Sequence, residues 1–178
     1  DVTPMHLIDT HCHLDVADFD SDRSSVLERA RAAGVKQIVV PAIERASWPD
    51  LLALCGAEAG LHPALGLHPV FLERHSDEDV EALADAVAAA HPVAVGEIGL
   101  DYHDRGLDPE RQRRLCGAQL GVARDLGLPV LLHVRKAHDD MLALLRDAAV
   151  PGGIVHAYSG SAEQAEQYLA LGFRLGFG

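Results

Sequence analysis

The 178 residues carry 27 acidic against 15 basic side chains, a formal charge of −12, and 48% of them are hydrophobic. That length and apolar content suffice for one well-buried domain over residues 1–178. The negative charge argues against a broad grip on nucleic-acid phosphates, though not against a small phosphate site. Three scattered cysteines, Cys12, Cys55 and Cys116, form no disulfide framework and fit a reducing cytoplasm. No apolar run reaches the roughly 18–20 residues of a membrane span.

Met5 reads as a natural start, with DVTP before it as a leftover or an upstream extension. The first strand is expected over 6–14, HLIDTHCHL. There His11 and His13 share one face and Cys12 takes the other, packing as a small apolar group against the helix layer. Such a pair can grip a metal, or can be two solvated histidines on a surface strand. A helix from Ser24 to Gly34 leads to a strand over 36–43. The next helix, WPDLLALCGAEAG, starts at Trp48, expected to pack locally, and ends at Gly60. The strand over 62–68 ends in His68, and SDEDVEALADAVAAA then predicts a helix opening at Ser76 with a solvated acidic face.

The strand over 92–100 contains Glu97, and a long helix spans Asp108–Leu126, closed by Gly127. A strand over 129–135 carries His133 and Arg135; AHDDMLALLRDAA follows as a helix; a strand over 152–159 carries His156. The last pair is a helix from Ser161 to Gly172 and a strand over 173–178. Ser24, Ser76, Asp108 and Ser161 are the expected N-caps, and the glycines the stops.

These strands are apolar on both faces, the mark of parallel strands covered by helices. Strand–helix alternation fits either an open doubly wound sheet or a (β/α)8 barrel of the TIM type. The polar residues favour the barrel, because His11, His13, His68, Glu97, His133 and His156 lie at or near the C-terminal ends of several strands, which a barrel gathers at one mouth. Seven strands are present where a barrel of about 250 residues has eight, so a last helix, strand and helix are expected to be missing from this sequence.

Glu97 interrupts an apolar strand between glycines, and a buried carboxylate must be compensated by a salt bridge or a metal. Its two oxygens could bridge two cations, whereas each histidine serves one. His133 could ligate, with Arg135 on the same face able to fork onto a phosphate. Four histidines around one glutamate point to divalent cations, with Zn, Mn, Mg or Ni all compatible. His62, His75, His91, His103 and His138 read as background.

The series LIDTHCHLD, ALGLHP, VGEIGLDYH, LPVLLHVRKAHDD and HAYSGS resembles the TatD-like metal-dependent hydrolases and deoxyribonucleases, of the amidohydrolase type, and within them the YjjV-like branch. That resemblance implies that His11 and His13 bind one ion, that Glu97 bridges and is catalytic, and that His133 and His156 bind a second ion. It places His68, Asp101, Tyr102, Arg135 and Ser159 in the substrate mouth. The family's final-strand aspartate, a metal ligand, has no counterpart here, and Lys136 adds a positive charge where relatives often carry an acid or arginine. The activity implied is two-metal phosphodiester hydrolysis of DNA ends or short DNA. The alternatives are hydrolysis of a small amide, lactone or phosphoester, or an inactive truncated barrel. DNA or a small phosphoester is the expected partner, with no membrane and no obligate protein partner.

Overall fold

In the computed structural model, which describes residues 6–177, seven parallel strands pair in chain order. They are β1 (Leu7–Asp9), β2 (Val35–Pro41), β3 (Leu61–Leu65), β4 (Ala94–Asp101), β5 (Val130–Arg135), β6 (Gly153–His156) and β7 (Phe173–Leu175). Between them run α1 (Arg23–Ala32), α2 (Trp48–Ala57), α3 (Glu78–Ala90), α4 (Pro109–Leu126), α5 (His138–Ala148) and α6 (Ala162–Ala170). The sheet curls far enough for the rings of His11, just past β1, and His156, on β6, to stack at 3.6 Å and 9°. The result is the TIM-like α/β architecture expected, as a curled half-barrel. Met5 as a start and Gly178 as the end of the last strand lie outside the described residues.

The main apolar core lies between sheet and helices. Val40, Leu65, Val95, Ile98, Leu132 and Val155 point outward into it and meet Leu51, Leu83, Leu120 and Met141 from the helices. The opposite, concave face carries a smaller cluster of Ala64, Ala94 and Leu131 with half-buried Val39 and Ile154. Apolar residues on both faces are thus explained, one set by the helix layer and the other by the curl of the sheet.

Several local expectations are corrected. β1 stops at Asp9, not Leu14, where the Asp9 carboxylate accepts from the His11 N–H at 3.0 Å and turns the chain. Cys12 N still donates to Val39 O at 3.1 Å, so the alternation persists and Cys12 packs partly buried against the outer core. Ser24 is not a cap: α1 starts at Arg23, whose guanidinium holds Leu14 O at 2.7 Å and Asp20 at 2.7 Å. Ser76 does not cap α3 either, because its N–H donates to the Asp79 carboxylate at 2.8 Å. Asp108 and Ser161 do cap, the latter with Gln164 in a reciprocal pair. Trp48 does more than pack locally, since its Nε1–H donates to Gly66 O at 3.3 Å, at the end of β3.

Close approach at the mouth needs glycine at two places. A Cβ on Gly99 (φ 145°) would lie 1.9 Å from His133 O, and one on Gly96 would lie 2.6 Å from Leu131 Cβ. These glycines flank Glu97 and let β4 press against β5.

α4 fixes two strand ends directly. Its buried Gln119 accepts from Leu67 N at 2.8 Å and donates to Leu67 O at 3.3 Å. Gln112, seven residues earlier on the same face, accepts from Asp101 N at 2.7 Å and donates to Asp101 O at 2.8 Å. Each amide satisfies both backbone groups of one residue, next to His68 and at Asp101 respectively. Replacing either glutamine by leucine strands a buried N–H and a buried C=O. Urea unfolding of Gln112→Leu and Gln119→Leu should each show a loss of about 2–5 kcal/mol, at one to a few kcal/mol per unpaired group.

Candidate metal centre

The Glu97 carboxylate, 1% exposed, is the hub. Its Oε2 lies 3.0 Å from His11 Nε2, 2.9 Å from His13 Nε2 and 3.3 Å from His68 Nε2. Its Oε1 faces His133 Nδ1 at 3.4 Å. Two groups of ligand-type atoms result, each within 4.8 Å: His11, His13 and Glu97, and His68, Glu97 and His133. The β4–β5 and β5–β6 registers pair Gly99 with His133 and His133 with His156, which brings these residues to one level of the mouth.

Hydrogen bonds on the far side of each ring decide which nitrogen carries a proton. His13 Nδ1 lies 3.0 Å from Pro41 O, an acceptor only, so Nδ1 is the donor and Nε2 is free to face Glu97. His133 Nε2 lies 2.8 Å from Asp101 Oδ2, which likewise leaves Nδ1 toward Glu97. Asp101 is itself fixed by the Gln112 amide and by the His103 N–H at 2.8 Å. His68 is the reverse case. Its Nδ1 accepts from Val70 N at 3.1 Å, so its proton sits on Nε2, directed at Glu97. In that form His68 donates a hydrogen bond and cannot ligate through Nε2. Buried His75 supports it from behind, with Nε2 2.8 Å from His68 O.

A bare imidazole lone pair 2.9 Å from a carboxylate oxygen is repulsive unless a positive charge lies between them. A proton meets that need in the metal-free protein. Burial pulls the His13 and His133 imidazoles down, but the bonds to Glu97 outweigh it and hold both above 6.5. Burial likewise pushes the Glu97 carboxyl up, yet hydrogen bonds from His11, His13, His133 and His68 hold it well below the usual range. Burial wins at His68, aided by its neighbours His133 and His13, and lowers it. A divalent cation would fit where these protons sit, because the donor set is imidazole nitrogen plus carboxylate oxygen and the Nε2 atoms of His11 and His13 lie 3.2 Å apart beside Glu97 Oε2.

The other expected site residues fall differently. His156 stacks on His11 and makes no hydrogen bond to Glu97 among the described residues, and burial with the neighbouring His11 lowers its pKa. The ligand-type group around Glu97 and His133 contains His68 in its place. Asp101 sits beside His133, and burial is overcome there by the His133 hydrogen bond, which lowers its carboxyl. Tyr102 turns aside to donate to Asp140 Oδ2 at 2.7 Å. Arg135 is exposed with no ion-pair partner among the described residues, and Ser159 lies in a neighbouring cleft. Sequence reading did not pick out Gln112, Gln119 or His75 in supporting roles. The two glutamines carried a signal, being polar residues seven apart on the apolar face of α4.

A family model described as TatD related DNase matches residues 8–178. The chain is 46% identical over 176 residues to the uncharacterized metal-dependent hydrolase YjjV of Escherichia coli K12, covering 96% of this chain and 67% of that one. It is 33% identical over 181 residues to the 3′-5′ ssDNA/RNA exonuclease TatD of Musicola paradisiaca, covering 96% and 66%. The crystal structure of YJJV, a TatD homologue from Escherichia coli K12, superposes with a TM-score of 0.90 at 44% identity, over 95% of this chain and 66% of that chain. The chain therefore spans about two thirds of the length of these relatives. No helix among the described residues is long and apolar enough to cross a membrane.

Histidine NMR of the metal-free protein tests the proton assignments. The His13 and His133 rings should titrate above 6.5 and His68 and His156 below it, with the neutral His68 proton on Nε2. A raised imidazole stabilises the fold fully below its unfolded value, and that stabilisation disappears as pH rises through the folded value. The destabilisation caused by His133→Gln, about 1.5–3 kcal/mol for hydrogen bonds to charged partners, should thus be largest below pH 6.5. Thermal melts across the range should show it shrinking as pH rises.

Proposed function

We propose that this chain, which belongs to the TatD-related DNase family, is a two-metal hydrolase that cleaves phosphodiester bonds at DNA ends or in short DNA. Metal-dependent hydrolysis is the family's chemistry; the number of ions and the substrate are our reading. One observation carries it: the two oxygens of Glu97 face different imidazole sets, Oε2 toward His11 and His13 with the donor His68 beside them, and Oε1 toward His133. A carboxylate so placed suits a bridge between two divalent cations, with Zn, Mn, Mg or Ni compatible with mixed nitrogen and oxygen donors.

Such ions, when bound, lower the pKa of water and offset the charge that builds on phosphoryl oxygens. The chain's own residues do the rest. His13 is aimed by Pro41 O and His133 by Asp101, so each presents a lone pair without reorganisation. We place His156, stacked on His11, as a further ligand recruited on metal loading. His68 Nε2–H stands beside the bridging carboxylate as a donor to a developing negative oxygen. Arg135, exposed and without an ion-pair partner among the described residues, is available to take a phosphate oxygen. A relative's name specifies 3′-5′ exonuclease action on ssDNA and RNA, which supports a nucleic-acid substrate here. The free cysteines fit a cytoplasmic setting.

The formal charge of −12 favours a second reading, hydrolysis of a small phosphoester, amide or lactone. Salt separates the two, because a DNA substrate should show KM rising steeply with ionic strength and a small uncharged one should not.

Glu97→Gln keeps the shape and removes the charge. Metal analysis of the protein as isolated should show occupancy falling from two ions per chain, and phosphodiester hydrolysis should drop at least about a hundredfold. Unchanged occupancy would remove the bridging role.

A further inference from the structure

Past β3 the chain that carries His68 runs through Pro69, which has no N–H, into a 3-10 turn over Pro69–Arg74 that is broken at Phe71 (φ −97°, ψ 27°). Side chains from elsewhere hold it in place. Arg74 donates to Glu44 at 2.8 Å, Arg111 of α4 donates to His75 O, and the Phe71 ring meets the His68 imidazole edge-on with centroids 5.6 Å apart.

His75 ends this turn, is 4% exposed, and belongs to neither ligand-type group around Glu97. Its Nε2 lies 2.8 Å from His68 O, a carbonyl that can only accept, so Nε2 is the donor. Nδ1 is buried with no partner, and burial lowers the pKa of the ring, so its one proton stays on Nε2. A buried lone pair without a donor is a cost that a phenyl ring in the same space would avoid. What a phenyl ring cannot supply is the N–H.

That N–H completes the hold on His68. The carbonyl has two lone pairs, one taken by Phe71 N at 3.1 Å and the other by His75. On the other side of the same Cα, His68 N donates to Ile43 O at 2.9 Å, and Gln119 holds the carbonyl of Leu67 in that peptide. Both peptide groups flanking His68 are thereby fixed. The Val70 N–H that keeps the His68 proton on Nε2 lies two residues along the chain so anchored.

We infer that His75 is a positioning residue for the hydrolytic reaction: its Nε2–H, acting through the His68 carbonyl, keeps the His68 Nε2–H directed at the oxygen that gains charge beside Glu97. This rests on the donor role given to His68 above and extends it to a ring outside both ligand-type groups. Gln at 75 can place an amide N–H at similar reach, whereas Phe fills the space without a donor.

Steady-state kinetics of the metal-loaded full chain on bis(4-nitrophenyl) phosphate, with metal analysis, provide the test. In His75→Phe, kcat should fall about tenfold or more while KM stays within about twofold and metal content is unchanged; His75→Gln should recover most of the rate. Side-chain 15N spectra of the metal-free protein, with the rings neutral, supply a readout apart from catalysis. His68 should show a protonated Nε2 and a bare Nδ1 in the wild type and in His75→Gln, and shifts averaged between the two tautomers in His75→Phe. A loss carried by KM or by metal content, a Gln variant as impaired as Phe, or an unchanged His68 tautomer in His75→Phe would each overturn the assignment. If the wild type cleaves no phosphodiester, the phosphodiester reading fails, and the His68 spectra still decide the role of His75.

Discussion

A carboxylate 1% exposed to solvent must be matched by positive charge, and the architecture around Glu97 follows from that demand. The polypeptide answers with imidazoles from β5 and from the segments after β1 and β3, none of which carries a fixed charge. Imidazole is the side chain that can supply either a proton or a lone pair near neutral pH. The same ring positions that hold protons in the metal-free protein suit cations in the loaded one. An arginine or lysine would have neutralised Glu97 permanently and closed the site to metal.

Aim is set by groups that never touch the centre. Pro41 O and Asp101 turn two rings so that the nitrogen left for a proton or a metal faces Glu97, while Val70 N turns His68 the other way. One glutamate therefore sees two kinds of histidine, distinguished only by what lies behind each ring. Asp101 shows how deep the support runs, since its side chain orients His133 while its own backbone is held by Gln112. Glycines at 96 and 99 let β4 approach β5 closely enough for these bonds to form.

Much of this was legible in the sequence because it depends on periodicity and end signals. Two-sided apolar strands, alternating helices and the Asp108 and Ser161 caps all follow local rules. Glu97 was conspicuous because nothing apolar should tolerate it unpaired. What stayed hidden depends on contacts between distant segments. His68 follows β3 and His156 ends β6, and only the curl of the sheet and the Val70 bond decide that one meets Glu97 while the other stacks on His11. Ser24 and Ser76 look like caps, but Arg23 reaching Leu14 and Asp79 reaching Ser76 shift the helix starts. Trp48 reads as local packing until Gly66 O is found beneath it.

The seven-residue spacing of Gln112 and Gln119 pins α4 at two points, near its start and past its middle. One pin holds the main chain beside His68, the other holds Asp101 behind His133. A tilt or slide of this rod cannot loosen one anchorage without straining its twin, so the imidazoles of His68 and His133 shift in concert. Substitutions on the outer surface of α4, far from Glu97, thereby gain leverage over both candidate ligand groups at once.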